Sequence, residues 1–393
     1  MIKELNPYKK DLFIVLLGVF ACLGLARFSF GMILPNMQHF LNMSATEAGI
    51  VGSSNFLGYF LGLFFVGNAY KNYGPRVLIS LSLLSQSALM FIMSFSSHYL
   101  IAAIFFLFSG IFGAFANIAL MTYIAQIVPA KIRGKATGIV VAGIGFAVIA
   151  SGIVVPFVDS LFNEPWRINW SFFAFLILLI SLLSFKNLKD NLVANSNSST
   201  NEPALSLKEI LSKVAFWQTG ALFFIFGTCA IMFMTFFVAA VEESWGLKSN
   251  ISGIFWTILG VSSILSGPIF GAISDHLGRY KTVAILFSLQ ALAHLIIALN
   301  PPLFTIFFSA FIFGISTWAI PSIMATLSSE LFGAIHTARI LAFLTLFFGV
   351  GQIIGPLFSG IFRDLTGSFS LSFYLSASLL ASGVVLAKIA SRD

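Results

Sequence analysis

Arg27 stands sixteen residues past Asp11 in an otherwise apolar stretch, about 24 Å along the axis of a helix rising ~1.5 Å per residue. At that depth in hydrocarbon a guanidinium costs at least ~2.5 kcal/mol, so the group is expected to face a cavity or a partner. Two chemistries suit it. It could contact a carboxylate or another acceptor on a bound solute, or it could bond backbone carbonyls and Asn or Gln side chains and so brace helices. No Asp or Glu lies deep within any apolar run, which motivates the first reading; the second is weighed equally. Three amides, Asn55, Asn117 and Gln352, lie in similar surroundings, where each needs a partner from protein or water. For Asn55 and Gln352, helix–helix hydrogen bonding is preferred over solute contact.

The other groups that could do chemistry are placed less favourably. Glu47, Asp159 and the adjacent Glu242 and Glu243 fall at the ends of apolar runs. The adjacent pair could take up a proton through like-charge repulsion, although solvation of a helix end is preferred. Proton coupling therefore has no clear seat and stays open. Cys22 and Cys229 lie inside apolar runs and indicate neither a disulfide framework nor a metal site. There is no P-loop, no zinc-ligand spacing and no nucleophile–base arrangement, so no enzyme activity, cofactor or metal is expected.

A strongly apolar chain positions these residues. Of its 393 residues, 58% are hydrophobic and 9% charged, against roughly 25% charged in soluble domains. Twelve apolar runs recur at 12–36, 47–67, 76–96, 99–126, 136–158, 168–186, 215–241, 250–273, 281–299, 302–328, 337–362 and 369–388. Each can cross a hydrocarbon core of about 30 Å. The expected fold is an all-α integral membrane protein of twelve transmembrane helices in two six-helix halves. The net charge of +7 would suit nucleic acid, but its placement points to a lipid bilayer. With the N-terminus inside, only Arg167, Lys248 and Arg363 of the 21 Lys and Arg fall in outside segments, and Arg27 lies within a run. That bias predicts a multi-pass protein with both termini in the cytoplasm. The first run follows lysines, yet it is too long for a signal peptide and lacks a small-residue cleavage pattern, so it is expected to be retained. An Asn/Ser-rich stretch within 187–213 reads as a cytoplasmic linker between residues 1–186 and 214–393. Its end, Leu205 to Lys213, could be a short amphipathic surface helix or simply solvated linker.

Two short segments repeat between the halves. Gly67-Asn-Ala-Tyr-Lys-Asn-Tyr-Gly74 and Gly271-Ala-Ile-Ser-Asp-His-Leu-Gly278 share the pattern G-x6-G, each in a basic break between apolar runs. Arg133 precedes Gly143-Ile-Gly145 by the same ten residues that separate Arg339 from Gly349-Val-Gly351. Such duplication is usual in secondary transporters. With these motifs the whole chain resembles the major facilitator superfamily (MFS), whose loop after the second helix runs approximately G-x-x-x-D-R-x-G-R-[KR]. The copy after the eighth helix matches better, with Gly271, Asp275, Gly278, Arg279 and Lys281. The copy after the second keeps Gly67, Gly74 and Arg76 but has Lys71 where Asp is expected. Gly351-Gln-Ile-Ile-Gly355-Pro356 is similar to the glycine–proline motif that antiporter-type members carry in the fifth helix, where this chain has a looser set, Gly138, Gly143, Gly145, Gly152 and Pro156. The Trp166-Arg167 pair is also common in the superfamily. Arg27-Phe-Ser-Phe-Gly-x3-Pro35 and Asn55-Phe-Leu-Gly-Tyr59 resemble an uncharacterised bacterial branch of it.

The resemblance implies a central cavity lined by the first, fourth, seventh and tenth helices. That makes Arg27 a cavity residue and Asn117 the second candidate for solute contact. Trp318 and Thr317, with Thr228 and Thr235, are candidates for the facing wall, although a lone tryptophan is more often packing. The family leaves the ninth helix facing lipid, so His294 is expected to be structural. Gly67, Gly74, Arg76, Gly271, Asp275, Gly278, Arg279 and Arg133 form the expected gating motif. In it, glycines at both loop ends permit a tight turn, and Asp275 pairs with Arg133 or Arg279 or accepts from a helix N-terminus. The resemblance implies that such contacts hold the outward-open state and release on switching; the plainer alternative is a turn and nothing more. Lys71 is not expected to share that role. Gly58-x3-Gly62 and Gly267-x3-Gly271 are expected to allow close packing at sliding surfaces between the halves.

The expected function is alternating-access transport of a small organic solute by a monomeric inner-membrane protein, with an anionic solute suggested by Arg27 and export set slightly ahead of import. An uptake permease or facilitator for a sugar or carboxylate is the alternative. An integral-membrane enzyme or a transport-dead sensor fits poorly, since the chain shows neither a catalytic cluster nor an added soluble domain.

Overall fold

The computed structural model describes residues 3–190, 207–333 and 336–392, which are helical and contain no strand. In chain order the spans are α1 Leu5–Phe40, α2 Ala45–Gly62, α3 Val66–Met93, α4 Tyr99–Ile127, α5 Ala130–Asp159, α6 Pro165–Asn187, α7 Val214–Trp245, α8 Ser249–Leu277, α9 Arg279–Ala298, α10 Thr305–Phe332, α11 Thr337–Thr366 and α12 Ser370–Ala390. Eleven of them are long and apolar enough to cross a bilayer. The other, α2, has 18 residues and continues through a three-residue turn into the beginning of α3. A capping box starts it: Ser44 Oγ accepts from the Glu47 N–H at 3.1 Å, and the Glu47 carboxylate accepts from the Ser44 N–H at 2.9 Å. Of the expected linker, residues 191–206 lie outside the described residues, and so does the start of the expected amphipathic segment at Leu205. A short helix, Leu207–Ser212, follows. Phe157, Phe175, Leu182, Phe308 and Val385 stand exposed, as lipid-facing side chains do.

The chain packs as two compact units: Met1–Ala194 with Thr235–Val261, and Asn195–Met234 with Ser262–Asp393. In the first unit α2 and α3 both pack along α4. Gly58 and Gly62 permit that approach, because a Cβ on Gly58 would strike the Leu107 carbonyl and one on Gly62 would meet Ala114 and Ile111. This glycine pair thus serves packing inside the unit, where the sequence suggested a sliding surface between halves. The eighth-helix pair differs further, since a Cβ on Gly267 or Gly271 would meet nothing within 4 Å. Two glycines of the loose set in α5 lie against neighbouring helices, whereas a Cβ on Gly138 would meet nothing within 4 Å. Gly143 lies against Leu16 and Phe20 of α1, while Gly152 lies against Gly253 and Thr257 of α8. Beside the latter contact, Trp256 Nε1 donates to Ser151 Oγ at 3.0 Å.

In the second unit α9 packs against α12 and α10. Gly351 and Gly355 of α11 lie on the backbone of Phe224 and Thr228 in α7, as Gly143 of α5 lies on α1. Helix α10 breaks at Trp318, three residues before Pro321. A proline removes one backbone donor and crowds the carbonyl four residues back, here that of Thr317. Past the break, the Ala319 N–H donates instead to Ser266 Oγ of α8 at 2.9 Å.

Candidate functional site

Between Phe20 and Phe28 the first helix widens into a π-helix, and the Ser29 N–H reaches the Gly24 carbonyl five residues back at 3.0 Å. Such segments are rare and frequent at functional sites. Two contacts hold this one. Gly24 lies so near Ala147 that no Cβ would fit. Gln86 Nε2 of α3 donates to the carbonyls of Cys22 at 3.3 Å and of Ser109 in α4 at 3.1 Å.

In the last turn of the π-helix stands Arg27, which is only 6% exposed. Its guanidinium carbon lies 3.9 Å from the ring centroid of Phe56 and 4.5 Å from that of Tyr59, with Phe28 at 5.8 Å. Phe56 and Tyr59 are three apart on α2 and so share a face. A desolvated cation–π contact contributes ~2 kcal/mol or more, so two such rings offset a membrane-insertion cost of about 2.5–3.5 kcal/mol. Aromatic contact was part of neither chemistry weighed from the sequence.

Tyr59 also links Arg27 to Asn117. The Asn117 Nδ2 donates to Tyr59 Oη at 2.8 Å, and both side chains are half-buried. That bond leaves the Tyr59 hydroxyl hydrogen and Asn117 Oδ1 as a donor and an acceptor for a further group. Asn55, one residue before Phe56, is 1% exposed, and its Nδ2 donates to the Phe106 carbonyl of α4 at 3.0 Å. It braces α2 against α4. Trp318, half-buried at the α10 break, and Gln352, buried in α11, belong to the second unit, as do Thr228 and Thr317. Thr235 belongs to the first. The structure therefore assembles Arg27, Tyr59, Phe56 and Asn117 within one unit. The sequence flagged the Asn55–Tyr59 run but gave its rings no role, and it passed over Gln86 entirely.

The glycine loops depart from expectation in one respect. Gly74 (φ 72°, ψ 169°) and Gly278 (φ 88°, ψ 158°) make the turns, in a backbone region essentially reserved for glycine. Gly67 and Gly271 sit inside helix, so each motif turns at one end only. In the second unit Arg279 bridges two acids, with Nη1 2.6 Å from Asp275 and Nε 2.9 Å from Glu330. In the first unit Arg76 pairs with Asp190 at 3.8 Å, the Asp190 carboxylate accepts from the Arg76 N–H at 3.1 Å, and Arg76 Nε donates to the Phe185 carbonyl at 2.7 Å. A carboxylate from beyond the motif thus stands where Lys71 cannot. Arg133 is exposed, with Nη2 3.4 Å from the Val128 carbonyl.

At the other end of the first unit, Asp159 accepts from Ser249 at 2.5 Å, Asn36 at 2.6 Å and Asn169 at 3.3 Å. Glu242 accepts from Ser252, so it is a bonded, half-buried group, whereas Glu243 is exposed. Both line a cavity of about 380 Å³ with Pro35, Gln38, His39 and Asn42. Arg167 bonds Glu164 and donates to the Ser94 and Ser96 carbonyls at 2.7 and 3.0 Å, tying α6 to the end of α3. His294, expected to be structural, is fully buried in the second unit.

Comparison with known proteins bears on the family. The multidrug resistance protein MdtG of Proteus mirabilis is 21% identical over 98% of this chain and 97% of that protein. The hexuronate transporter of Bacillus subtilis is 25% identical over 94% of this chain and 90% of that protein. The crystal structure of a D-xylose-proton symporter superposes with a TM-score of 0.75 at 16% identity, covering 97% of each chain, and shows likeness of fold. A family described as "Uncharacterised MFS-type transporter YbfB" matches residues 19–388. The chain, with its twelve helices, is thus a multi-pass transporter of the major facilitator superfamily and not an enzyme, and it belongs to that YbfB family.

Proposed function

We propose that the protein is a secondary active transporter that carries a small organic anion across the inner membrane by alternating access. The observation that supports this reading is the buried Arg27 cage, with Tyr59 and Asn117 half-buried at its side. In this reading Arg27 holds an anionic group, Asn117 and Tyr59 orient the polar part of the solute, and Trp318 and Gln352 contribute from the other half. Residues 1–186 and 214–393 rock about the site as a monomer with both termini in the cytoplasm. Arg279 with Asp275, and Arg76 with Asp190, make and release contacts at the glycine turns.

Export is set slightly ahead of import by the glycine–proline motif of α11, in line with the name of the multidrug resistance relative. The hexuronate transporter's name favours the second reading, uptake of a carboxylate or sugar acid, and the Arg27 cage serves either direction. Protons are proposed as the coupling ion, as in the symporter of similar fold. The test is flux of a panel of carboxylate, sugar and cationic solutes into proteoliposomes, with and without a proton gradient. Arg27→Ala and Arg27→Lys are compared with wild type at matched incorporation. Selective loss of anionic solute flux supports the reading, and full transport by both variants overturns it.

A further inference from the structure

Near their starts, α1 and α5 leave a crevice of about 350 Å³ lined by Leu5, Lys9, Leu12, Phe13, Leu16 and Ile139. The two helices run side by side in one direction: Gly143 lies against Leu16 and Phe20, and Ala147, one turn later, lies against Gly24. Lys9 stands seven residues before Leu16, and Lys135 stands eight before Gly143. Both lysines therefore lie ~10–12 Å back from that contact, at one level. Ile139 follows Lys135 by one turn on the same face of α5, and Phe13 follows Lys9 by one turn on α1. Side chains on a helix lean toward its start, so both ammonium groups reach away from the bilayer centre. Each helix thus presents a cation at the membrane edge and an apolar wall one turn deeper.

Lys9, Phe13, Lys135 and Ile139 are all exposed, Phe13 by 61% and Ile139 by 43%. A Cβ on Gly134 or Gly138 would meet nothing within 4 Å, so α5 lies open at those positions beside the crevice. The nearest acid along the chain from Lys9 is Asp11, which turns to α4 and accepts from Tyr123 Oη at 2.7 Å. No ion pair among the described residues engages Lys9 or Lys135. Both helices begin at this end, and their positive dipole ends add to the two lysines.

We propose that the crevice is a binding site for an anionic phospholipid. One acyl chain lies along Phe13, Leu16 and Ile139, and the phosphate of the headgroup meets Lys9 and Lys135. Lipid tails are as apolar as the crevice wall, so the chain fills the space without selecting a lipid. Selection comes from charge complementarity at the basic end, as in basic pockets between transmembrane helices. A second copy of the chain is a poor occupant, because a stable interface takes about 20–30 residues a side and six line this crevice. The site is separate from the Arg27 cluster and does not depend on which solute is carried.

The test is native mass spectrometry of the full chain in detergent with added phosphatidylglycerol or phosphatidylcholine. Wild type is expected to retain phosphatidylglycerol in preference to phosphatidylcholine. Lys9→Gln with Lys135→Gln should weaken phosphatidylglycerol binding about 25-fold, at roughly fivefold per lysine, and leave phosphatidylcholine unchanged. Lys281→Gln with Lys388→Gln removes the same charge from exposed positions in the second unit and should change retention less than twofold. Ile139→Trp fills the crevice with both lysines in place and should also lower phosphatidylglycerol binding. The Tm of each variant without lipid checks that it is folded, and added phosphatidylglycerol should raise the Tm of wild type more than that of the Lys9/Lys135 variant. Equal retention of the two lipids by wild type, or equal loss in the two double variants, overturns the proposal. So does a dimer that Ile139→Trp abolishes, which would give the crevice to a second copy.

Discussion

Arg27 in the first unit and His294 in the second are both bases enclosed by apolar helices, and the groups around them differ in kind. Around Arg27 the close contacts are ring faces, which attract a cation without fixing the direction of its N–H groups. Beside it Tyr59 and Asn117 are half-buried, so another molecule could reach the cluster. Around His294 the contacts are two carbonyl oxygens, one beside each ring nitrogen, and the ring has no exposed surface. With no exposed surface and a carbonyl in line with each nitrogen, the ring leaves no room for a solute. A base caged by faces beside half-buried polar groups can meet a solute, whereas a base clamped by acceptors is fixed in place.

The largest effect expected from breaking this comparison is at Arg27. Arg27→Ala removes the cation and should lower flux of an anionic solute by about a hundredfold, near 2.8 kcal/mol at 1.4 kcal/mol per tenfold. Arg27→Lys keeps the charge but loses the planar group that stacks on Phe56, and about a tenfold loss is expected. Equal loss in the two variants would show that the charge alone does not hold the solute. The next effect concerns the two turns, which the units share. Gly74→Ala and Gly278→Ala force a side chain into a glycine-only backbone region and should each destabilise the fold by about 1–3 kcal/mol, read as a lower Tm in detergent. Gly67→Ala and Gly271→Ala have open space around the new Cβ and lie in helix, so each should raise stability by up to ~1 kcal/mol. Destabilisation by all four would break the distinction between the two ends of the motif.

The sequence revealed what depends on one helix at a time and missed what depends on two. Twelve spans were legible because an apolar run long enough for the bilayer needs no knowledge of its neighbours. Depth marked Arg27 for the same reason. The aromatic cage was not legible: Phe56 is one of 46 Phe, and nothing local says that its ring meets a helix elsewhere in the chain. Gly67 and Gly74 look alike in a motif, yet only backbone torsion separates a helical glycine from a turning one. His294 was read as structural, but its contact with the Cys229 carbonyl of α7 lies on a second helix and was not legible. Asp190 lay outside the repeated pattern and was passed over.

The smallest effect on stability, and the sharpest contrast between the turns, lies in their ion pairs. Arg279 is held by two acids on different helices, whereas Arg76 is held by Asp190 and a backbone carbonyl at the end of α6. The carboxylates are well exposed, so either pair contributes at most ~1 kcal/mol to the fold. Asp190→Asn and Glu330→Gln should therefore shift Tm little. Their effects on transport should diverge if the turns act as gates. Glu330 joins α9 to α10, so its loss frees Arg279 from a contact between two helices; Asp190→Asn leaves the Phe185 carbonyl still holding Arg76. About a threefold change in turnover is expected for Glu330→Gln and less than twofold for Asp190→Asn, corresponding to ~0.7 and under ~0.4 kcal/mol. Salt should weaken the difference, because exposed ion pairs contribute less as ionic strength rises. Equal turnover for both variants at low salt would mean that the glycine turns, not the charges beside them, distinguish the two loops from ordinary connections.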